Sequence, residues 1–287
     1  MSSLAARHGA AFTLRPSGQA CGARVEGLDL SRTLDDATIA ALREAWLEHH
    51  VLAFPDQNMS DDDLERFTRY FGPFGDDPFI EPIPGREHVI AVERRATEQA
   101  PIFAEAWHTD WSFQASPPIG TCLLSITIPP VGGATLFANQ HAALDAMPAA
   151  LRQRIEGLAA VHSASIAYAP DGLYGADDAD SDRSMSIIPS DDALATQQHP
   201  LIRRHSETGR ASLYGCIGYV MGIKDMEHEA ALNLLLELHA WQTQEAFIYT
   251  HEWEPDMLVM WDNRCLLHRA TGGYEGYDRL LHRTTIG

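Results

Sequence analysis

The sequence predicts an α+β protein, with an N-terminal layer of strands and helices followed by a body built as a sandwich or jelly roll. Three observations lead there. Before residue 75, extended and helical signals alternate; after it, short β-rich runs recur between Pro, Gly and Asp turns; and one amphipathic helix interrupts those runs late in the chain. In order, FTLRP and ARVEGLDL read as extended, and LDDATIAALREAWLEHH puts Leu34, Ile39, Leu42 and Trp46 near helical spacing. VLAF at 51–54 is a buried-strand run. Ser60 followed by Asp63 has the form of a capping box, opening a helix that Gly72 and Pro73 close. Beyond it, HVIAV, TCLLSITI, ATLFA, ASLYGCIGY, AFIYTHEW and DMLVMWD read as strands. DMEHEAALNLLLELHAWQ reads as a helix with Leu232, Leu235 and Leu236 on one face. The Gly-, Asp- and Ser-rich stretch 169–200 is long for a loop inside a compact domain and reads as a lid. No solenoid repeat or low-complexity linker is visible, so the expectation is one catalytic domain over 1–287, with 1–75 an elaboration on a 76–287 core.

Composition narrows the function classes. The chain has 287 residues, 45% hydrophobic and 21% charged, enough for a sizeable core and unlike disordered or fibrous proteins. Forty acidic residues against 21 basic ones give a net charge of −19, a field that repels nucleic-acid phosphate and anionic lipid. No apolar run approaches the roughly 20 residues needed to span a bilayer, and MSSLAARHGAAFTL lacks the continuous apolar stretch of a signal peptide. Cys21, Cys122, Cys216 and Cys265 are far apart, as expected of reduced thiols. The expectation is a soluble, cytoplasmic protein without nucleic-acid or membrane partners.

The strongest local signal is WHTDWSF. His108 and Asp110 are two apart, which on a strand puts an imidazole and a carboxylate on one face. WDNRCLLHR supplies a third donor, His268, just after the strand DMLVMWD. Two histidines and one carboxylate form the facial triad of non-haem Fe(II) oxygenases, with three positions open. H-x-D alone is weak: it arises by chance, and His108 could simply hydrogen-bond Asp110 at a strand end. Other candidates carry less. Asp178, Asp180 and Asp182 alternate as in a calcium loop, but Arg183 and Pro189 stand where an EF-hand needs Gly and Glu, so they read as a solvated acidic loop. Cys265 and His268 lack a second zinc-type pair. His49 and His50 follow a helix, whose C-terminal dipole favours imidazole. The GG of PPVGG precedes a strand, not the helix of a phosphate loop.

Context strengthens the triad. WHTDWSF…SPP…PPVGGATLF, HP…RRHSETGRASLY and WDNRCLLHRAT…YDRLLHRTTIG, in that order, resemble the taurine dioxygenase/2,4-D dioxygenase (TauD/TfdA) family of Fe(II)- and 2-oxoglutarate-dependent enzymes. The likeness runs from GARVEGLDL and VLAFPDQ to the last residue. It implies a double-stranded β-helix (jelly-roll) core with flanking helices, iron held by His108, Asp110 and His268, and 2-oxoglutarate and O₂ as cosubstrates. Arg279 takes the place of the arginine pairing with the distal carboxylate of 2-oxoglutarate, a task suited to a guanidinium fork. Thr135, in GGATLF, matches the threonine sharing that carboxylate, though it could also be a plain β-former. Arg283 matches an arginine that holds an anionic group of the substrate or lies beside the cosubstrate. On the strand the resemblance implies for RLLHRTT, Arg279 and Arg283 share a face. Tyr219, in GYVMG, matches an aromatic position bordering the substrate, or is a packed strand residue. Trp107 and Trp111 read as core packing, with one of them free to line the pocket, and Asn263 as a loop tether or a buttress of His268. The resemblance also implies a homo-oligomer, a dimer or tetramer.

The implied reaction hydroxylates a small anionic or zwitterionic substrate (sulfonate, sulfate ester, phenoxy acid or other carboxylate), releasing succinate and CO₂, and can end in C–S or C–O cleavage. An unpaired buried Arg283 would favour an anion. Ala104, Glu105 and Ala106 before the iron motif, and GPFGDDPFIEP after the second helix, depart from taurine-cleaving members and put taurine in doubt. An acidic lid with Asp171, Asp177, Asp178, Asp180 and Asp182 would oppose a strong anion unless these residues turn outward or pair, which keeps a zwitterion open. Two other classes compete. A zinc hydrolase leaves Arg279 and Thr135 without a task, and a non-catalytic acid-binding jelly roll predicts a broken triad.

Overall fold

The computed structural model describes residues 12–175, 178 and 181–287. Asp177 and Asp180 of the acidic stretch lie outside the described residues. The first part of the chain forms β1 (Thr13–Pro16), β2 (Ala23–Glu26), α1 (Asp36–His49), β3 (Val51–Phe54) and α2 (Asp61–Arg69). Then come β4 (Ile90–Arg94), β5 (Gly120–Thr127), β6 (Thr135–Asn139), α3 (Gln140–Asp145), α4 (Ala149–Ile155), β7 (Ala159–Ser163) and α5 (Ser165–Tyr168). The last third holds β8 (Thr196–Pro200), β9 (Ile202–Arg204), β10 (Ala211–Leu213), β11 (Val220–Ile223), α6 (His228–Gln242), β12 (Ile248–His251), β13 (Leu258–Asp262), β14 (Leu266–Ala270) and β15 (Arg279–Ile286).

One seven-stranded sheet runs β1-β2-β3-β13-β5-β15-β4, antiparallel except where β2 meets β3; a three-stranded sheet, β12-β6-β14, faces it. VLAF is buried at every position because the larger sheet is covered on both sides. Val51 and Ala53 face the smaller sheet with Leu123, Val259, Trp261, Phe137 and Leu266, while Leu52 and Phe54 face the opposite way onto α1 and α2. The predicted cap of α2 forms, with Ser60 Oγ accepting from Asp63 N (3.3 Å) and Asp63 Oδ2 accepting from Ser60 N (2.9 Å). Trp46, fully buried under the sheet, fills the space beside Gly120, where an added Cβ would lie 2.6 Å from its Cζ2. We expect Trp46→Ala to cost about 3–5 kcal/mol, the usual range for emptying a core aromatic site. A urea unfolding midpoint unmoved within error would contradict this packing role.

Several expectations need correction. The late helix α6 buries Ala231, Leu234, Leu235 and Leu238, whereas Leu232 and Leu236 are 45% and 47% exposed. The 3.6-residue period puts those two leucines one step round from the packed face. Helices α3, α4 and α5 were not predicted, so α6 is not the single helix among the strands. Asn139 caps α3 by accepting from Ala142 N, and Pro148 separates it from α4. ASLYGCIGY does not form one strand. Only Ala211–Leu213 is extended, as β10; the chain then leaves the strand through Gly215 (φ +101°) and a turn at 217–219, and β11 begins at Val220, beyond the run. Residues 196–200 of the expected lid form β8, paired with β7. His50 caps α1 in the left-handed region (φ 65°), is buried against His141, and burial pushes its imidazole down to about 3. Burial, not the helix dipole, therefore sets its neutral state. Among the described residues no helix is long and apolar enough to cross a membrane.

Candidate active site

The two sheets bring distant segments together. His268 lies on β14 of the smaller sheet, Arg279 and Arg283 on β15 of the larger one, and the WHTDWSF segment crosses between them. That segment is not a strand. His108 makes a single antiparallel bridge with His268, exchanging N–H···O bonds of 3.0 and 2.7 Å, and Asp110 sits in the following turn. The bridge sets the two imidazoles side by side, with centroids 4.2 Å apart and planes tilted by 49°. Asp110 Oδ1 then lies 3.8 Å from His108 Nε2 and 3.7 Å from His268 Nε2. His108 Nδ1 points at the Ala106 carbonyl (2.8 Å), which makes Nδ1 the protonated nitrogen and leaves Nε2 with a free lone pair.

Electrostatics suit a metal. Burial pushes both imidazoles below their ordinary value, His268 to about 3, so both are neutral donors. Burial would raise the Asp110 carboxyl, but His268, Arg283, His108 and the Thr121 hydroxyl together hold it down to about 2. Asn263 gains a defined place. Trp261 Nε1 donates to Asn263 Oδ1 (2.9 Å), Asn263 Nδ2 to Thr121 Oγ1 (2.9 Å), and Thr121 Oγ1 to Asp110 Oδ2 (2.6 Å). It therefore orients the carboxylate through Thr121 and does not buttress His268. We expect Asn263→Ala to weaken iron binding about 10–100-fold with little change in fold, as for other partners that orient metal ligands. Equal iron affinity for variant and parent by competition with a chelator would rule out the relay.

Arg279 and Arg283 both point inward from β15, as expected, but their surroundings differ. Arg279 has no acidic partner among the described residues. Its Nε is buried and unpaired, its Nη2 reaches only the Gly133 carbonyl (3.4 Å), and burial lowers its pKa. Trp253 and Tyr274 flank it at 5.9 and 5.8 Å, and Trp253 Nε1 donates to Thr135 Oγ1 (3.0 Å). The GG of PPVGG keeps this recess open. A Cβ on Gly133 would lie 3.3 Å from Arg279 Nε, and one on Gly132 would strike the Gly273 backbone at 2.4 Å.

Arg283, by contrast, is paired with Asp77, lies 3.6 Å from Asp110 Oδ1, and stacks over Trp111 at 5.1 Å. This corrects the argument that a lone buried Arg283 demands an anionic substrate. Asp77 also accepts from Trp111 Nε1 (2.7 Å), steadying a tryptophan held at φ +48° immediately after the carboxylate ligand candidate. Tyr219 is in the turn before β11, not in a strand, with its ring edge-on to His108 at 6.1 Å. A cavity of about 580 Å³ opens onto His108, Asp110 and Arg283 and is lined by Trp107, Trp111, Tyr174 and Tyr219 among others, so both tryptophans reach it. Two acidic residues of the 169–200 stretch are already engaged. Asp178 is held by Arg183 (2.7 and 3.2 Å) and Asp182 by the amides of Gln99 and Ala100 (2.7 and 2.9 Å), while Asp171 is exposed.

Sequence reasoning missed Asp77, Thr121 and Trp253. Asp77 lay in a segment noted only as a departure, and nothing local marks a threonine in TCLLSITI. Cys265 does not group with His268. It lies with His50 and His141, and with His205 and Asp262. Asp262 there binds His205 (2.9 Å) and Arg264 (2.8 and 2.7 Å), an ion network that fastens the turn leading into β14.

Two imidazoles and a carboxylate with an open side are the donor set of mononuclear non-haem iron oxygenases. Comparison with known proteins agrees. Residues 13–285 match the family described as taurine catabolism dioxygenase TauD, TfdA family. The (S)-phenoxypropionate/alpha-ketoglutarate-dioxygenase of Delftia acidovorans is 34% identical over 90% of this chain and 88% of its own length. The alpha-ketoglutarate-dependent 2,4-dichlorophenoxyacetate dioxygenase of Cupriavidus pinatubonensis is 33% identical over 92% and 93%. The crystal structure of a taurine dioxygenase from Burkholderia xenovorans superposes with a TM-score of 0.78 at 28% identity, over 96% of this chain and 90% of that one. The chain belongs to the TauD/TfdA family of dioxygenases.

Proposed function

We propose that this protein is an Fe(II)- and 2-oxoglutarate-dependent dioxygenase that hydroxylates a small organic substrate, releasing succinate and CO₂. The observation that carries the cosubstrate is Arg279, a buried guanidinium without an anion, on the same strand face as Arg283 beside the triad. A buried unpaired cation is costly, and a carboxylate ligand removes that cost. In this reading His108 Nε2, His268 Nε2 and Asp110 hold the iron, and Arg279 grips the distal carboxylate of 2-oxoglutarate. Thr135 accepts from Trp253, so its own hydroxyl hydrogen remains for the same carboxylate. Arg283 and Tyr219 form the inner wall beside the substrate. Bound iron with its cosubstrate supplies O₂ activation; the protein supplies position and a dry wall.

The relatives' names point to phenoxy acids and, for the Pseudomonas putida relative, sulfate esters as the substrate range. Hydroxylation beside a heteroatom gives a product that breaks at C–O or C–S. The proposal includes a double-stranded β-helix core in a single catalytic domain, in keeping with two facing sheets, and a lid within 169–200, in keeping with Leu173 and Tyr174 in the cavity wall. Four free, buried cysteines accord with a cytoplasmic enzyme. A zinc hydrolase would leave Arg279 without a role. The test is anaerobic titration with Fe(II) and 2-oxoglutarate. A weak visible charge-transfer band is expected, and its absence with iron demonstrably bound would remove 2-oxoglutarate from the reading.

A further inference from the structure

Two arginines line the cavity, and only one has charge to offer. The Arg283 side chain is 6% exposed and faces two buried carboxylates, Asp77 and Asp110. Asp77 is further fixed by Trp111 Nε1 (2.7 Å) and Thr285 Oγ1 (3.2 Å), so it cannot swing away without breaking those bonds. Asp77 therefore meets the charge of Arg283 even when Asp110 serves a metal. A sulfonate or carboxylate added there would be a second negative group beside Asp77 in a low-dielectric site.

Arg269, next to His268 on β14, is in the opposite situation. Its nearest carboxylate, on Glu105, is 3.9 Å away and 54% exposed, a long and wet contact of little worth. Its Nε is buried with no partner, and its guanidinium lies 6.0 Å from the Trp107 ring. With its side chain 31% exposed, Arg269 stands nearer the mouth than Arg283 does. The same cavity wall carries the apolar side chains of Phe103, Trp107, Ile166, Leu173 and Ile217. We infer that Arg269, not Arg283, receives the acidic group of the substrate. A small sulfonate or a dianion seated on Arg283 is disfavoured. This inference rests on the dioxygenase reading above.

The test is anaerobic calorimetric titration of the full-length protein, loaded with Fe(II) and 2-oxoglutarate, with 2-phenoxypropionate and with its neutral amide. The parent is expected to bind the acid about tenfold or more tightly than the amide, the scale of one charge-assisted hydrogen bond. Arg269→Gln should erase that preference by weakening the acid alone. Asp77→Asn, which frees Arg283, should raise affinity for ethanesulfonate by a similar factor. An acid preference that survives Arg269→Gln, binding of neither probe, or tight ethanesulfonate binding by the parent overturns the inference. The charge-transfer band is recorded on the same samples. A normal band with no acid preference defeats the inference alone, whereas no band defeats the dioxygenase reading and the inference with it.

Discussion

Asp110→Ala is expected to abolish 2-oxoglutarate turnover and to lower iron affinity by on the order of 10³-fold, the scale of stripping one partner from a buried charge cluster. The reason lies in where Oδ1 sits. It is within 3.8 Å of both Nε2 atoms and 3.6 Å from Arg283 Nη1, so one oxygen serves the metal position and the neighbouring cation. Without it, a dication would meet two neutral imidazoles and a guanidinium balanced by Asp77 alone. The side chain is 3% exposed, so no bulk water replaces the missing negative charge. Asp110→Asn keeps the shape and the Thr121 contact while removing the charge, and it should retain more fold stability than iron affinity. Metal content after gel filtration and succinate release are the readouts. Parent-level iron with parent-level succinate in Asp110→Ala would mean the metal is held elsewhere.

The second large effect is expected at Arg279, with opposite signs for binding and stability. Arg279→Met removes the guanidinium while filling most of its space. The 2-oxoglutarate requirement should rise about 10²–10³-fold, because a desolvated bidentate pair is lost. Without 2-oxoglutarate, however, the variant should be at least as stable as the parent, since it no longer buries an unpaired cation. The parent should also gain thermal stability from 2-oxoglutarate with Fe(II), about 2.7 kcal/mol at a hundredfold excess over Kd, and the variant should not. A variant that melts lower when free of ligand, yet keeps the ligand-induced gain, would show Arg279 to be a structural residue and not the carboxylate receptor.

These effects separate what is local from what is tertiary. Alternation and caps were readable because they depend on neighbours in the chain: VLAF as a two-sided strand, and Ser60 with Asp63 as a capping box. The donor types of the triad were readable too, since H-x-D and a later histidine carry their chemistry in their identities. The convergence of His108, Asp110 and His268 was not written in the two-residue spacing, because the motif is a bridge and a turn instead of a strand. It is created by one backbone pairing between segments far apart in sequence. The same holds for α6, where apolar residues on adjacent helical faces cannot be ranked until the packed side is known.

The α+β class and a candidate set of metal donors were legible in the chain alone, and the strand face shared by Arg279 and Arg283 followed from the family resemblance. Which of the two arginines is left without an anion depends on the three-dimensional packing. Arg279 and Arg283 are chemically identical and share a strand face, and what distinguishes them is Asp77, contributed by a distant loop, beside one and absent from the other. Ionic partners act through space over a few ångströms, so a one-dimensional pattern shows that a cation is present but not whether its charge is already met.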